Sequence, residues 1–250
     1  MLDAKCEMIL NEYDEEAPLV SKENTFAINI NNLVNLDSHQ YYYSLAKLSF
    51  LLAEEAYPWA TILKKTGDSY TKTEMLKEMS MMDYMSIVLD PSEYTEDIDD
   101  IIAFNIGYSY LKTNNKNYNI VVVSFRGTYD DVEWNSNFDI GTSEVSAYSE
   151  KEKHSEWINK KNHKGFDVAS NRAITEMNNY LSNKLQDDAE KNIYLFTGHS
   201  RGGAMTNVLA RYMQDNDMKY NAYAFACPNT TEEDETKCAS YKNLFNICNN

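Results

Sequence analysis

Basic residues are scarce in this chain. Its 250 residues carry 23 Lys and Arg against 39 Asp and Glu, a formal net charge of -16, so nucleic acid and anionic membrane surfaces, both lined with phosphates, are excluded as favourable partners. The acidic clusters at 93–100 and 232–235 read as a solvated acidic surface. Cysteine is scarce too. Cys6, Cys227, Cys238 and Cys248 form no C-x-x-C pair and no metal-ligand spacing, which points to buried thiols rather than a metal centre. A Cys227–Cys238 disulfide around the acidic loop stays open for an exported protein. No apolar run is long enough to cross a bilayer: the most apolar helical stretch, 41–60, is broken by Lys47, Glu54 and Glu55, so no integral membrane segment is expected. No charged segment followed by an apolar core opens the chain, so a secretory signal is expected to be absent or already removed, and cytoplasmic and secreted locations both fit. Repeats and low-complexity linkers are missing as well. At 43% hydrophobic content, residues 1–250 read as a single domain with a full core, residues 1–36 forming an acidic, Asn-rich N-terminal arm.

Glycine is also sparse, at 8 residues, yet three of them cluster. Gly198-His199-Ser200-Arg201-Gly202-Gly203 contains a G-x-S-x-G that follows the apolar run 192–197 and opens a helical run at 204–213. Strand, tight turn and helix are the context in which this pentapeptide acts as a nucleophile elbow. The serine must stand proud of the sheet, so residues two before and two after it must be small, and Gly198 and Gly202 are. The helix that starts there aims its unsatisfied N–H groups at any oxyanion formed at Ser200. The pattern predicts acyl transfer through a serine nucleophile, with no metal or organic cofactor implied.

A second long apolar run, 119–125, is β-branched enough to be a strand buried on both faces, as in a parallel sheet. It ends at Arg126-Gly127-Thr128, where a loop brings a backbone N–H and a hydroxyl to the sheet's carboxyl edge. Enzymes of this architecture take one oxyanion donor from the residue after the nucleophile and another from a loop after an earlier strand, which makes Arg201 and Thr128 the candidates. Elsewhere, helical spacing of Tyr41, Leu45, Leu48 and Leu52 predicts a core-facing helix from Ser38, and 73–85 a Met-rich second one. Alternation at Phe104, Ile106, Tyr108 and Tyr110 predicts a half-exposed strand, paired as an antiparallel hairpin with the run at 119–125 at one end of the sheet. Asn171 is placed as the cap of a helix carrying Ile174, Met177, Leu181 and Leu185. Two further strands are read at 221–226 and 243–248.

Phe125-Arg126-Gly127-Thr128, Glu133-Trp134, Asn137-Phe138-Asp139, His163-Lys164-Gly165-Phe166 and Gly198-His199-Ser200-Arg201-Gly202-Gly203 together resemble the ordered motifs of the class 3, fungal-type lipases, over about residues 100–250. The resemblance implies an α/β-hydrolase-type, mostly parallel central sheet with helices on both faces. It implies a carboxylic ester hydrolase acting on a small-molecule ester or lipid, with Ser200 as nucleophile and Thr128 and the Arg201 N–H as oxyanion hole. It also gives His163 the place of a motif histidine that is not the base. Nothing bears on oligomeric state.

The base is what the chain lacks. An α/β-hydrolase triad runs Ser, acid, His, but His39, His154, His163 and His199 all precede Ser200. In the family the acid follows a segment resembling 244–250, so the chain is expected to be a fragment whose acid and histidine would come later, and these 250 residues by themselves are expected to hydrolyse esters poorly or not at all. A degenerate paralogue, retaining the fold as a binding or scaffold module, and an unorthodox base, His154 or His163, are the alternatives. Asp234 is a possible acid after the strand at 221–226. The segment 140–158 is mostly polar where an interfacial lipase would carry an apolar lid, which favours dispersed or short-chain esters. Three S-x-x-K matches and one K-T-G are set aside, since no S-D-N accompanies them.

Overall fold

Three segments whose apolar residues point to both sides of an extended backbone make the centre of the molecule, seen here in a computed structural model. The structure describes residues 2–10, 20–28, 30–34, 40–57, 83–89, 102–112, 116–128, 137–138, 161–234 and 240–248. The central strands are β5 (Asn117–Phe125), β6 (Lys191–His199) and β7 (Lys219–Phe225). They lie in a six-stranded sheet of order β3-β4-β5-β6-β7-β8, flanked by β3 (Asp83–Leu89), β4 (Ile102–Lys112) and β8 (Leu244–Ile247). β5 to β8 pair in parallel, and β4 runs against both its neighbours. This is the α/β-hydrolase-type sheet the sequence implied.

Burial on both faces follows from period-2 geometry. Val121, Val123, Phe125, Tyr194 and Phe196 face one core with helices α3 (Lys164–Leu181) and α4 (Arg201–Asp215). Ile120, Val122, Ile193, Leu195 and Tyr223 face the other, covered by α1 (Ile30–Val34) and α2 (Tyr43–Glu55). Leu45, Leu48 and Leu52 are the core-facing row of α2, whereas Tyr41, expected in that row, lies ahead of the helix start at Tyr43 and is 47% exposed. Parallel strands need such cover on both sides.

Five expectations change. The strand at 102–112 is fully buried over 103–108, because β3 beyond it takes the edge and a polar Asn105 is held inside at 5% exposure. Residues 83–85 of the expected Met-rich helix belong to β3, where pairing with β4 outweighs local propensity; 73–82 lie outside the described residues. Asn171 does not cap α3, which begins seven residues earlier; it is buried mid-helix and donates to the Asp167 carbonyl at 2.7 Å. The N-terminal arm contains an antiparallel ribbon of β1 (Leu2–Leu10) and β2 (Val20–Ile28). Glu233 also leaves the solvated cluster: Arg211 Nη2 pairs with it at 2.6 Å and the Tyr241 hydroxyl donates to it at 3.0 Å.

Candidate active site

β6 ends at His199 and α4 starts at Arg201, leaving Ser200 alone to turn the chain. It does so with φ 54° and ψ -121°, a region that costs a non-glycine residue about 1–3 kcal/mol and that surrounding structure must enforce. The enforcement is visible. The Ser200 N–H donates to the Phe225 carbonyl at 2.9 Å, tying the turn to the end of β7. A Cβ on Gly198 would fall on the Gly202 carbonyl, and one on Gly202 would fall on the Phe125 carbonyl, so strand, helix start and the end of β5 pass in direct contact. Ser200 occupies the N-cap of α4, but its side chain makes no capping bond.

Thr128 lies three residues past β5, beside the carboxyl edge where β6 delivers Ser200. Its Oγ1 accepts a hydrogen bond from Asn137 Nδ2 at 2.7 Å. Because the amide donates, the threonine keeps its own hydroxyl proton for another acceptor. His163 completes this chain. Its Nε2 lies 3.2 Å from the Asn137 carbonyl, which can only accept, so Nε2 carries the hydrogen. The ring stacks on Phe166 with centroids 4.1 Å apart, and the His163 N–H donates to the Thr230 carbonyl at 2.9 Å. The motif residues Thr128, Asn137, His163 and Phe166, spread over 39 positions of sequence, thus form one connected support. Trp134 and Asp139 lie outside the described residues, as do His39, His154 and the polar segment 140–158.

The Arg201 side chain is buried at 2% exposure, while its N–H belongs to the first turn of α4. His199 turns Nδ1 to the Tyr57 hydroxyl, 2.9 Å away, and desolvation lowers its pKa from 6.5, favouring a neutral imidazole. Sequence reasoning gave Tyr57 no role, and no local pattern would have found it: 142 residues separate the pair. Cys227 flanks the elbow, with its Cβ 3.2 Å from a Cβ built on Gly203. It is a free thiol; burial, then Cys248 nearby, pushes its pKa up to about 12, so it is no thiolate nucleophile. Cys248, expected as a buried thiol, is exposed at the end of the described chain, and Cys238 lies outside the described residues. Asp234 is exposed in the loop after β7. Among the described residues, no group of His, Cys, Asp and Glu has the arrangement of a metal site.

Residues 122–250 match the family described as lipase (class 3). Solved structures with a similar course include a lipase from Rhizopus microsporus var. chinensis, 16% identical, TM-score 0.47, covering 83% of this chain and 67% of that one. A triacylglycerol lipase from Penicillium expansum is 17% identical, TM-score 0.40, covering 81% and 68%. A Yarrowia lipolytica lipase is 15% identical, TM-score 0.40, covering 82% and 68%. No curated protein matches the sequence.

Proposed function

The chain belongs to the class 3 lipase family, and from that premise we propose that it is a carboxylic ester hydrolase working through a Ser200 acyl-enzyme. The observation that carries the reading is the backbone of Ser200, held at φ 54° between β6 and α4 where its hydroxyl serves no cap. The Ser200 Oγ attacks the ester carbonyl, the carbonyl oxygen becomes an oxyanion, and the alcohol leaves as the acyl-enzyme forms; water then releases the acid. The Thr128 hydroxyl, oriented by Asn137, and the Arg201 N–H at the positive end of α4 receive the oxyanion. The Ser200 proton needs a base. Neither His163, turned to Asn137, nor His199, turned to Tyr57, is given that role. The polar sequence of 140–158 favours a short acyl chain, so p-nitrophenyl butyrate is the substrate of choice over the palmitate ester.

The test is covalent. In the full-length protein a fluorophosphonate probe is expected to leave one adduct, located by peptide mass spectrometry on the segment containing Ser200, and Ser200→Ala is expected to abolish both the adduct and ester hydrolysis. An adduct on another residue, or hydrolysis that survives Ser200→Ala, would overturn the assignment.

A further inference from the structure

One side chain outside the motif set touches both halves of the site. Tyr57 follows α2, whose C-terminal end is anchored on the sheet by two buried hydroxyls. Ser124, at the end of β5, donates to the Leu52 carbonyl at 2.5 Å, and Thr197, near the end of β6, donates to the Ser49 carbonyl at 2.8 Å. The last turn then closes through the Tyr57 N–H on the Glu54 carbonyl at 3.1 Å. The strands that present Thr128 and Ser200 therefore also fix where Tyr57 enters.

Its hydroxyl sits 2.9 Å from His199 Nδ1, with the two rings 6.1 Å apart and tilted by 56°. A Cβ on Gly127 would overlap that hydroxyl and lie 2.6 Å from the His199 carbonyl oxygen. The phenol, the residue before Thr128 and the residue before Ser200 are thus packed with no space between them.

We propose that Tyr57 is a positioning residue: its hydroxyl, bonded to His199, clamps the Gly127-Thr128 loop against the elbow and so fixes the distance between the two oxyanion donors. The proposal rests on the Ser200 and Thr128 reading above. The downward shift of the His199 pKa by burial supports it, since the neutral imidazole it favours offers the phenol an acceptor or a donor. Oxyanion donors act on the transition state and not on the bound ester, so a loosened clamp should lower kcat and leave KM alone. A purely structural role would lower the amount of folded protein and leave both constants unchanged for what remains folded.

The experiment is a double-mutant cycle on p-nitrophenyl butyrate in the full-length protein, with active sites titrated by fluorophosphonate. Tyr57→Phe is expected to lower kcat about tenfold with KM within about twofold, less than the loss from deleting an oxyanion donor outright. His199→Leu should do the same, the double variant should be no worse than either single one, and His199→Gln should restore part of the rate. A Tyr57→Phe enzyme with unchanged kcat, or losses that multiply in the double variant, would overturn the clamp while leaving Ser200 in place. Absence of any Ser200-dependent labelling in the unmutated full-length protein would sink the function and the clamp together. A readout independent of turnover is the melting temperature: Gly127→Ala should depress it less in the Tyr57→Phe background, where the overlapping hydroxyl is gone. Equal depression in both backgrounds would contradict the contact itself.

Discussion

Asn137 gives its amide hydrogen to Thr128 Oγ1 at 2.7 Å, and that direction of donation decides what the threonine can do. A hydroxyl accepting from an amide is left with its own proton to place, and the acyl oxygen on Ser200 is the acceptor the proposed reaction supplies. Asn137→Ala would remove the orienting bond and let the hydroxyl rotate. A neutral hydrogen bond is worth about 0.5–1.5 kcal/mol net, so kcat should fall by roughly two- to tenfold with KM unchanged. Steady-state kinetics on p-nitrophenyl butyrate check this. Thr128→Val should abolish the dependence, so that adding Asn137→Ala to it changes nothing. A further loss in the double variant would mean that Asn137 acts by another route.

At the scale of elements, α2 is bound to the sheet by hydroxyls of β5 and β6. Thr197 is fully buried and donates toward the Ser49 carbonyl at 2.8 Å and the Tyr223 carbonyl at 3.1 Å. Thr197→Val keeps the shape and deletes the donor, leaving buried carbonyls short of a partner, which costs about 1–3 kcal/mol. Urea unfolding should show that loss as a lower midpoint at unchanged slope. Elements with a local signature were legible in the sequence for the same kind of reason. The elbow was legible because a strand, two small residues and a helix must be contiguous for Ser200 to turn as it does. β5 was legible because Ile120 to Val123 leave no polar face. Other features were set by contacts distant in sequence. Alternation at 104–110 looked half-exposed because nothing in the segment announces β3 beside it. Asn171 resembled a cap because its bond to the Asp167 carbonyl uses the side-chain chemistry that a cap also uses. Tyr57 and the amide direction of Asn137 depend on residues brought together only when the sheet assembles.

Over the whole molecule the charge of -16 acts on where an ester can be met. Among the described residues no helix is long and apolar enough to cross a membrane. Approach to an anionic bilayer is opposed by a field that reaches about 10 Å at 0.1 M salt and farther at lower ionic strength. A zwitterionic bilayer sets no such barrier. At low salt, p-nitrophenyl butyrate dissolved in phosphatidylcholine vesicles should therefore be hydrolysed faster than the same ester in vesicles mixed with phosphatidylglycerol. Added salt should close the gap by raising the slower rate, since screening weakens repulsion and leaves the chemistry at Ser200 untouched. Equal rates at low salt would mean that the ester is taken from solution and the bilayer is not approached at all. A faster rate on the anionic vesicles would require a basic face strong enough to overcome the net charge, and would reverse the exclusion drawn from composition.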